Sequence, residues 1–167
     1  MNLRLATLDD AASIWDVHVN AIRVLCASDY TPRQITAWLE PKKPSDYHRP
    51  ISEQRIFVAE FSGCLAGFGE FGTKEIHAIY VHPRFARRKV GTLLFHRLIA
   101  ELGSRGVLRI SLDASLTSVP FYLALGCTAG EAVTHCLRSG VEILCIQMIF
   151  ELSETPVRQP FSGTQFP

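Results

Sequence analysis

The chain has 167 residues, 17 Lys and Arg against 16 Asp and Glu, and an apolar fraction of 47%. That is enough for one domain with a sizeable core, and the near balance of charge argues against a general nucleic-acid binder. No apolar run approaches the ~20 residues of a membrane helix, and the first residues lack a signal-peptide pattern, so a cytoplasmic protein without a membrane partner is expected.

Residues 2–6 read as a short strand. Thr7 is placed to cap the helix that follows, with Asp10 in the capping-box position. Leu8, Ala11, Ala12, Trp15, Val19, Ile22 and Cys26 then recur at helical spacing. His18 lies among them and reads as a packed or surface histidine. Thr31 and Pro32 start a second helix, which Pro41 and Pro44 end. Residues 45–52 add one more short helix. These helices cover a sheet face or wall a substrate pocket.

Residues 55–61 are strand-like, Ser62-Gly63 is a turn, and residues 65–71 return as the second arm of a hairpin. Gly67 and Gly69 weaken that arm and leave room for a close neighbour. Residues 75–81 follow as a third antiparallel strand. Simple alternation puts Glu75, His77, Ile79 and Val81 on one face. Pro83 breaks the strand, and a basic turn with Arg87, Arg88 and Lys89 leads into a helix at about Val90. The first helical N–H groups have no partner within the helix, and the helix dipole adds positive charge. Gly91 is expected to let a phosphate approach the main chain.

The helix spans residues 90–104, with Val90, Leu94, Leu98 and Glu101/Leu102 on its inner stripe and Leu93 and Ile99 flanking it. Residues 108–112 form a strand that the β-helix-β setting places parallel to the Glu75 strand. Residues 118–125 form a short helix ended by Gly126. Residues 128–136 and 141–151 form a last hairpin around Arg138-Ser139-Gly140. A single domain over 1–152 and a loosely packed tail over 153–167 are expected. The five cysteines are scattered without a CxxC pair, so buried reduced thiols are expected and neither a metal site nor a disulfide framework is.

The order of elements, with YVHPRFARRKVGTLL and FYLALG in their places, resembles the GNAT superfamily of N-acetyltransferases over residues 2–151. The resemblance implies an α/β (α+β) fold: a mixed, mostly antiparallel, splayed sheet flanked by helices. It also implies acetyl-CoA as cosubstrate. The superfamily's coenzyme A signature, Gln/Arg-x-x-Gly-x-Gly/Ala, falls on Ala86, Lys89 and Gly91, and only Gly91 matches. Arg87, Arg88, Lys89, Val90, Gly91 and Thr92 would grip the pyrophosphate. Ile79, Tyr80 and Val81 would pair with the pantetheine arm, and an N–H near Ile79 or Tyr80 would hold the thioester oxygen. Ser115 stands where many members carry Asn. Phe121 opens the segment that resembles Phe-Tyr-x-x-x-Gly-Phe, with Cys127 in place of its last aromatic.

Acetyl transfer to an amine needs a neutral amine, and an alkyl ammonium has a pKa of ~10.4. Glu75 is the first candidate base, at the spacing before Ala86 that the histone-acetylating branch uses; Glu70 and His77 are the alternatives. Tyr122 corresponds to the tyrosine that protonates the departing thiolate in related enzymes. Asp113, Glu131, His135 and Arg138 are candidates to reach an amine-bearing small molecule or peptide. A second copy of the chain is a candidate partner, as a homodimer through the last hairpin or the sheet edge. The competing readings are a non-catalytic acyl-CoA-binding or sensing module and, less well supported, a nucleotide-phosphate binder, since no Walker loop or dinucleotide glycine pattern occurs.

Overall fold

The structure, a computed structural model, describes residues 1–40 and 42–152. The expected stop at Pro41 and the expected tail over 153–167 lie outside the described residues. No helix among those described is long and apolar enough to cross a membrane.

Among the described residues, seven strands form two half-sheets. The first has the order β1 (Asn2–Leu5), β2 (Ile56–Phe61), β3 (Cys64–Phe71), β4 (Ile76–Val81), antiparallel throughout. The second has the order β5 (Arg109–Ser115), β7 (Glu142–Glu151), β6 (Thr128–Cys136). The parallel pairing expected between β4 and β5 shrinks to a single bridge, Glu75 with Ser111. Beyond it the two strands separate, which leaves one edge of each unpaired.

Local chemistry sets the helix starts. The Thr7 N–H donates to Asp10 Oδ2 at 2.7 Å, and the same carboxylate binds Arg4 Nη1 at 2.7 Å, so the turn before α1 (Ala11–Asn20) is tied to β1. α1 continues into a π-helical turn, Ala21–Leu25, where a uniform α-helix was expected. Thr31 Oγ1 accepts from the Gln34 N–H at 3.3 Å and starts α2 (Pro32–Leu39). A 3-10 turn, Pro44–Tyr47, leads into α3 (His48–Ser52).

α1 and α3 cover one face of the first half-sheet, where Ile14, Val17, Tyr47 and Ile51 pack with Val58 and Phe68. α4 (Val90–Ser104) covers the other. Its buried stripe is Val90, Leu94, Phe95, Leu98, Ile99 and Leu102, while Leu93 is exposed. Burial of each such side chain is worth roughly 1.5–3 kcal/mol, so packing holds the helix in place more than propensity does. The glycines of β3 let it sit close. A Cβ on Gly67 would lie 3.0 Å from Val90 Cγ1, and one on Gly69 would lie 2.8 Å from Leu98 Cδ1. α5 (Val119–Ala124) follows β5 through a 3-10 turn, and Gly126 ends it at φ +89°.

Strand β4 does not alternate simply. Phe71 pairs with Ile76 but Glu70 pairs with Ala78, so His77 is the extra residue of a bulge. The bulge reverses the parity along the strand. Ile79 and Val81 pack toward α4, whereas Ala78 and Tyr80 pack toward α1. Glu75 and His77 line a cavity on the α1 side, not the α4 face that alternation would give them. Three cysteines are buried as expected, but Cys64 and Cys136 are exposed because both sit near hairpin ends.

Candidate active site

The turn between β4 and α4 is built under strain. His82 Nδ1 accepts from the Arg84 N–H at 3.2 Å and opens a 3-10 turn, Pro83–Phe85. The Ala86 N–H closes that turn on the Pro83 carbonyl at 3.1 Å, so Ala86 supplies neither a polar side chain nor a spare donor. Arg87 and Lys89 then take φ of +64° and +63°. Left-handed backbone at an L residue costs roughly 1–2 kcal/mol, and two such residues within three positions need a compensating reason. The first intrahelical bond runs from the Leu93 N–H to the Lys89 carbonyl at 3.0 Å. The N–H groups of Val90, Gly91 and Thr92 therefore open forward from the helix end.

Around that opening Arg87, Arg88 and Lys89 are all exposed. The Arg88 guanidinium lies 6.0 Å from the ring centres of both Phe61 and Phe85, which holds it beside the turn. Gly91 also has a packing role. A Cβ there would lie 3.2 Å from Phe121 Cζ and 3.6 Å from Val81 Cγ2. The missing side chain makes room for α5 against the helix start.

The gap between the half-sheets begins beside this turn. The His82 N–H bonds the Ala66 carbonyl at 2.9 Å, and the register runs Val81 with Gly67, Tyr80 with Phe68 and Ile79 with Gly69. Hydrogen-bonded and non-bonded pairs alternate along an antiparallel ladder. Tyr80 thus spends its main-chain groups on β3, while Ile79 and Val81 turn theirs to the gap. Of Ile79 and Tyr80, only Ile79 turns its N–H to the gap. Tyr80 offers its ring instead, to the cavity on the α1 side.

Across the gap, Ser115 ends β5 with its Oγ 2.9 Å from Ser118 Oγ. Tyr122 is buried, its ring 4.9 Å from Phe121 and 6.1 Å from Phe95 between centres. Burial pushes its phenol well above the ordinary value, so the hydroxyl stays protonated at neutral pH.

The α1-side cavity has a volume of about 790 Å³ and runs from α1, α2 and the 3-10 turn at Tyr47 across β4 to the last hairpin. The three candidate bases meet at one end of it. His77 Nε2 lies 2.9 Å from Glu75 Oε1, and its Nδ1 lies 3.5 Å from Glu70 Oε1. Arg55 Nη1 reaches Glu70 at 3.1 Å. The hydrogen bond from His77 holds the Glu75 carboxyl below its usual range, against a smaller opposing effect of burial. Asp113 pairs with His135 at 3.0 Å on the far wall, and Arg138 lines the same space. Glu131 does not line it.

His18, expected as a packed or surface histidine, is packed. It is 5% exposed and stacks on Tyr80 with ring centres 4.1 Å apart. Its Nδ1 lies 2.5 Å from the Tyr47 hydroxyl, and its Nε2 is buried without a partner among the described residues. Burial, helped by the Lys42 ammonium, pulls its pKa down to about 3. Its place between Ile14 and Ile22, one helical turn from each, was the available signal: a polar side chain on a buried stripe demands a partner.

Comparison with known proteins agrees on one family. Residues 26–148 match the profile of the acetyltransferase (GNAT) domain. The crystal structure of a GCN5-related N-acetyltransferase from Rhodopseudomonas palustris superposes with a TM-score of 0.86 at 30% identity, over 90% of this chain and 95% of that one. The uncharacterized N-acetyltransferase YafP of Escherichia coli (strain K12) is 25% identical over 117 residues, which is 70% of this chain and 74% of YafP. The PaiA N-acetyltransferase of Thermoplasma acidophilum, solved in complex with coenzyme A, shares the fold with a TM-score of 0.70 at 17% identity, over 90% of this chain and 98% of that one.

Proposed function

Because this chain belongs to the GNAT acetyltransferase family, we propose that it is an N-acetyltransferase that moves an acetyl group from acetyl-CoA directly to an amine. The observation that carries this reading is the strained cationic turn at the start of α4, set beside the unpaired edge of β4. The N–H groups of Val90, Gly91 and Thr92, with Arg87, Arg88 and Lys89 around them, suit a pyrophosphate. Ile79 and Val81 offer main-chain groups to the amide-bearing arm in the gap. PaiA, on the same fold, was solved with coenzyme A.

The residues then divide the chemistry. The Ile79 N–H stabilises charge as it develops on the thioester oxygen. The amine enters from the α1-side cavity, and its proton passes through water to the Glu70, His77 and Glu75 cluster, with Glu75 the first choice. The nitrogen forms its bond to the acetyl carbon, the carbon–sulfur bond breaks, and the Tyr122 hydroxyl protonates the departing thiolate. Burial keeps that hydroxyl protonated until the thiolate appears.

A thiol-release assay with acetyl-CoA and a panel of polyamines, amino acids, aminoglycosides and peptides tests this function. Amine-dependent release of free thiol is expected. Acetyl-CoA binding without release for any amine would replace it with the sensing-module reading.

A further inference from the structure

Glu75 is held from three sides. Its Oε2 accepts from the Lys74 N–H at 3.3 Å, and its Oε1 lies 2.9 Å from His77 Nε2. The His77 contact keeps the carboxyl below its usual range, so it is ionised at neutral pH. An ionised carboxylate only accepts, which puts the proton on Nε2 and makes His77 the donor. Gly72 is the third side. A Cβ there would lie 2.5 Å from Glu75 Oε1 and 2.5 Å from His77 Nε2, closer than any ordinary contact.

The backbone of Gly72 does not itself call for glycine. Its φ is not in the left-handed region, and its N–H bonds the Glu75 carbonyl at 2.8 Å, as that of any residue but proline could. What glycine supplies is space for the two side chains to meet. The bulge supplies the other half, since His77 is the extra residue of β4 and reaches back to Glu75 just ahead of the strand. Glu75 lines the α1-side cavity and also a second one of about 810 Å³, between α3, the end of α4 and the start of β5. With open space on two sides, these contacts are what fix its carboxylate.

We propose that His77 and Gly72 are positioning residues for Glu75 as the base of acetyl transfer: the ring N–H aims the carboxylate, and the missing side chain at 72 leaves the space in which the two groups meet. This rests on the acetyl-transfer reading and adds to it what holds the base. The charges facing Glu75 are mixed. In the α1-side cavity they are Glu70, Asp113, Lys42 and Arg138, with the rings of His18 and His135. In the second cavity they are Arg49, Glu53, Arg55, Lys74, Arg105 and Arg109. Gly72→Ala changes none of these groups, so it isolates the placement of the Glu75 and His77 pair. Both atoms it crowds are ends of flexible side chains, so the fold should accommodate it.

The test uses the full chain, acetyl-CoA and the best amine of the thiol-release panel, with Gly72→Ala, His77→Leu and His77→Gln, and Glu75→Gln as reference. A catalytic group misplaced by about 1 Å can cost ~10²-fold. Gly72→Ala and His77→Leu are expected to lower kcat by about tenfold or more, with KM for the amine nearly unchanged. The acid limb of their kcat–pH profiles should move to higher pH, because the hydrogen bond that favours the ionised carboxylate is lost. His77→Gln, whose amide N–H can take the place of Nε2–H, should keep much of the activity that His77→Leu loses. Titration of 13C-labelled glutamate carboxyls by NMR reads Glu75 directly, identified by its absence in Glu75→Gln, and its midpoint should rise in Gly72→Ala. A fall in kcat with neither the limb nor the midpoint moved would reveal a merely structural role and overturn the proposal, as would an unchanged kcat in Gly72→Ala. If Glu75→Gln turns over normally, the positioning proposal falls and acetyl transfer stands. If no amine releases thiol, both fall.

Discussion

Lys89 stands where the family's signature has glycine, and its backbone shows what the replacement costs. At φ +63° and ψ 11° it is in the left-handed region. Lys89→Gly removes the Cβ that makes this conformation unfavourable by roughly 1–2 kcal/mol, while the freer unfolded chain takes back roughly 0.5–1 kcal/mol. The net gain of about 0.5–1 kcal/mol corresponds to a rise in melting temperature of ~1–4 °C for a chain of this size. Lys89→Ala is the control, because it removes the charge and keeps the strain. Circular dichroism melts measure the first effect, and calorimetric titration with coenzyme A measures the second. The Gly variant should melt above both the Ala variant and the unmodified protein. Both variants should lose a similar, severalfold and salt-sensitive part of the affinity. A Gly variant that melts at or below the Ala variant would refute the claim of stored strain.

Tyr122→Phe should lower kcat by ~10²-fold or more, the lower range for a general acid, while acetyl-CoA binding measured separately stays unchanged. An unaltered kcat would assign the proton to another donor. His18 carries a pH signature of its own. Its folded pKa, about 3, lies below the unfolded value of 6.5. As pH falls through 6.5 the unfolded chain takes up a proton that the folded chain refuses, so stability drops continuously until the folded pKa is reached. Urea midpoints should therefore show about 2 kcal/mol lost between about pH 7 and about pH 5 from this residue alone. A folded His18→Phe variant should lack that portion, and an identical pH dependence in both proteins would show that His18 is not buried neutral.

Much of the architecture was legible because the signals are local. Thr7 with Asp10 and Thr31 with Pro32 mark helix starts through residues close together in the chain, and Ser62 and Gly63 mark a hairpin through two positive φ values. What escaped depends on contacts between distant segments. The bulge at His77 is a product of pairing with β3, and alternation read from β4 alone put Glu75 and His77 on the wrong face. The packing of Gly91 against Phe121 joins residues thirty positions apart in the chain. The sequence left His18 as either packed or on the surface, and only Tyr47 and Tyr80, from distant segments, show that it is packed. The α4 helix and its basic entry were the clearest feature of the chain, yet the strain in that entry was invisible without its backbone angles.

The most direct measurement is an isothermal titration of acetyl-CoA into the protein, repeated with Arg87, Arg88 and Lys89 all changed to Ala. Saturable one-to-one binding by the unmodified chain, weakened substantially in the triple variant, is the predicted result. An absence of binding, or equal affinity in the two proteins, would contradict the assignment of the turn before α4 as the pyrophosphate grip.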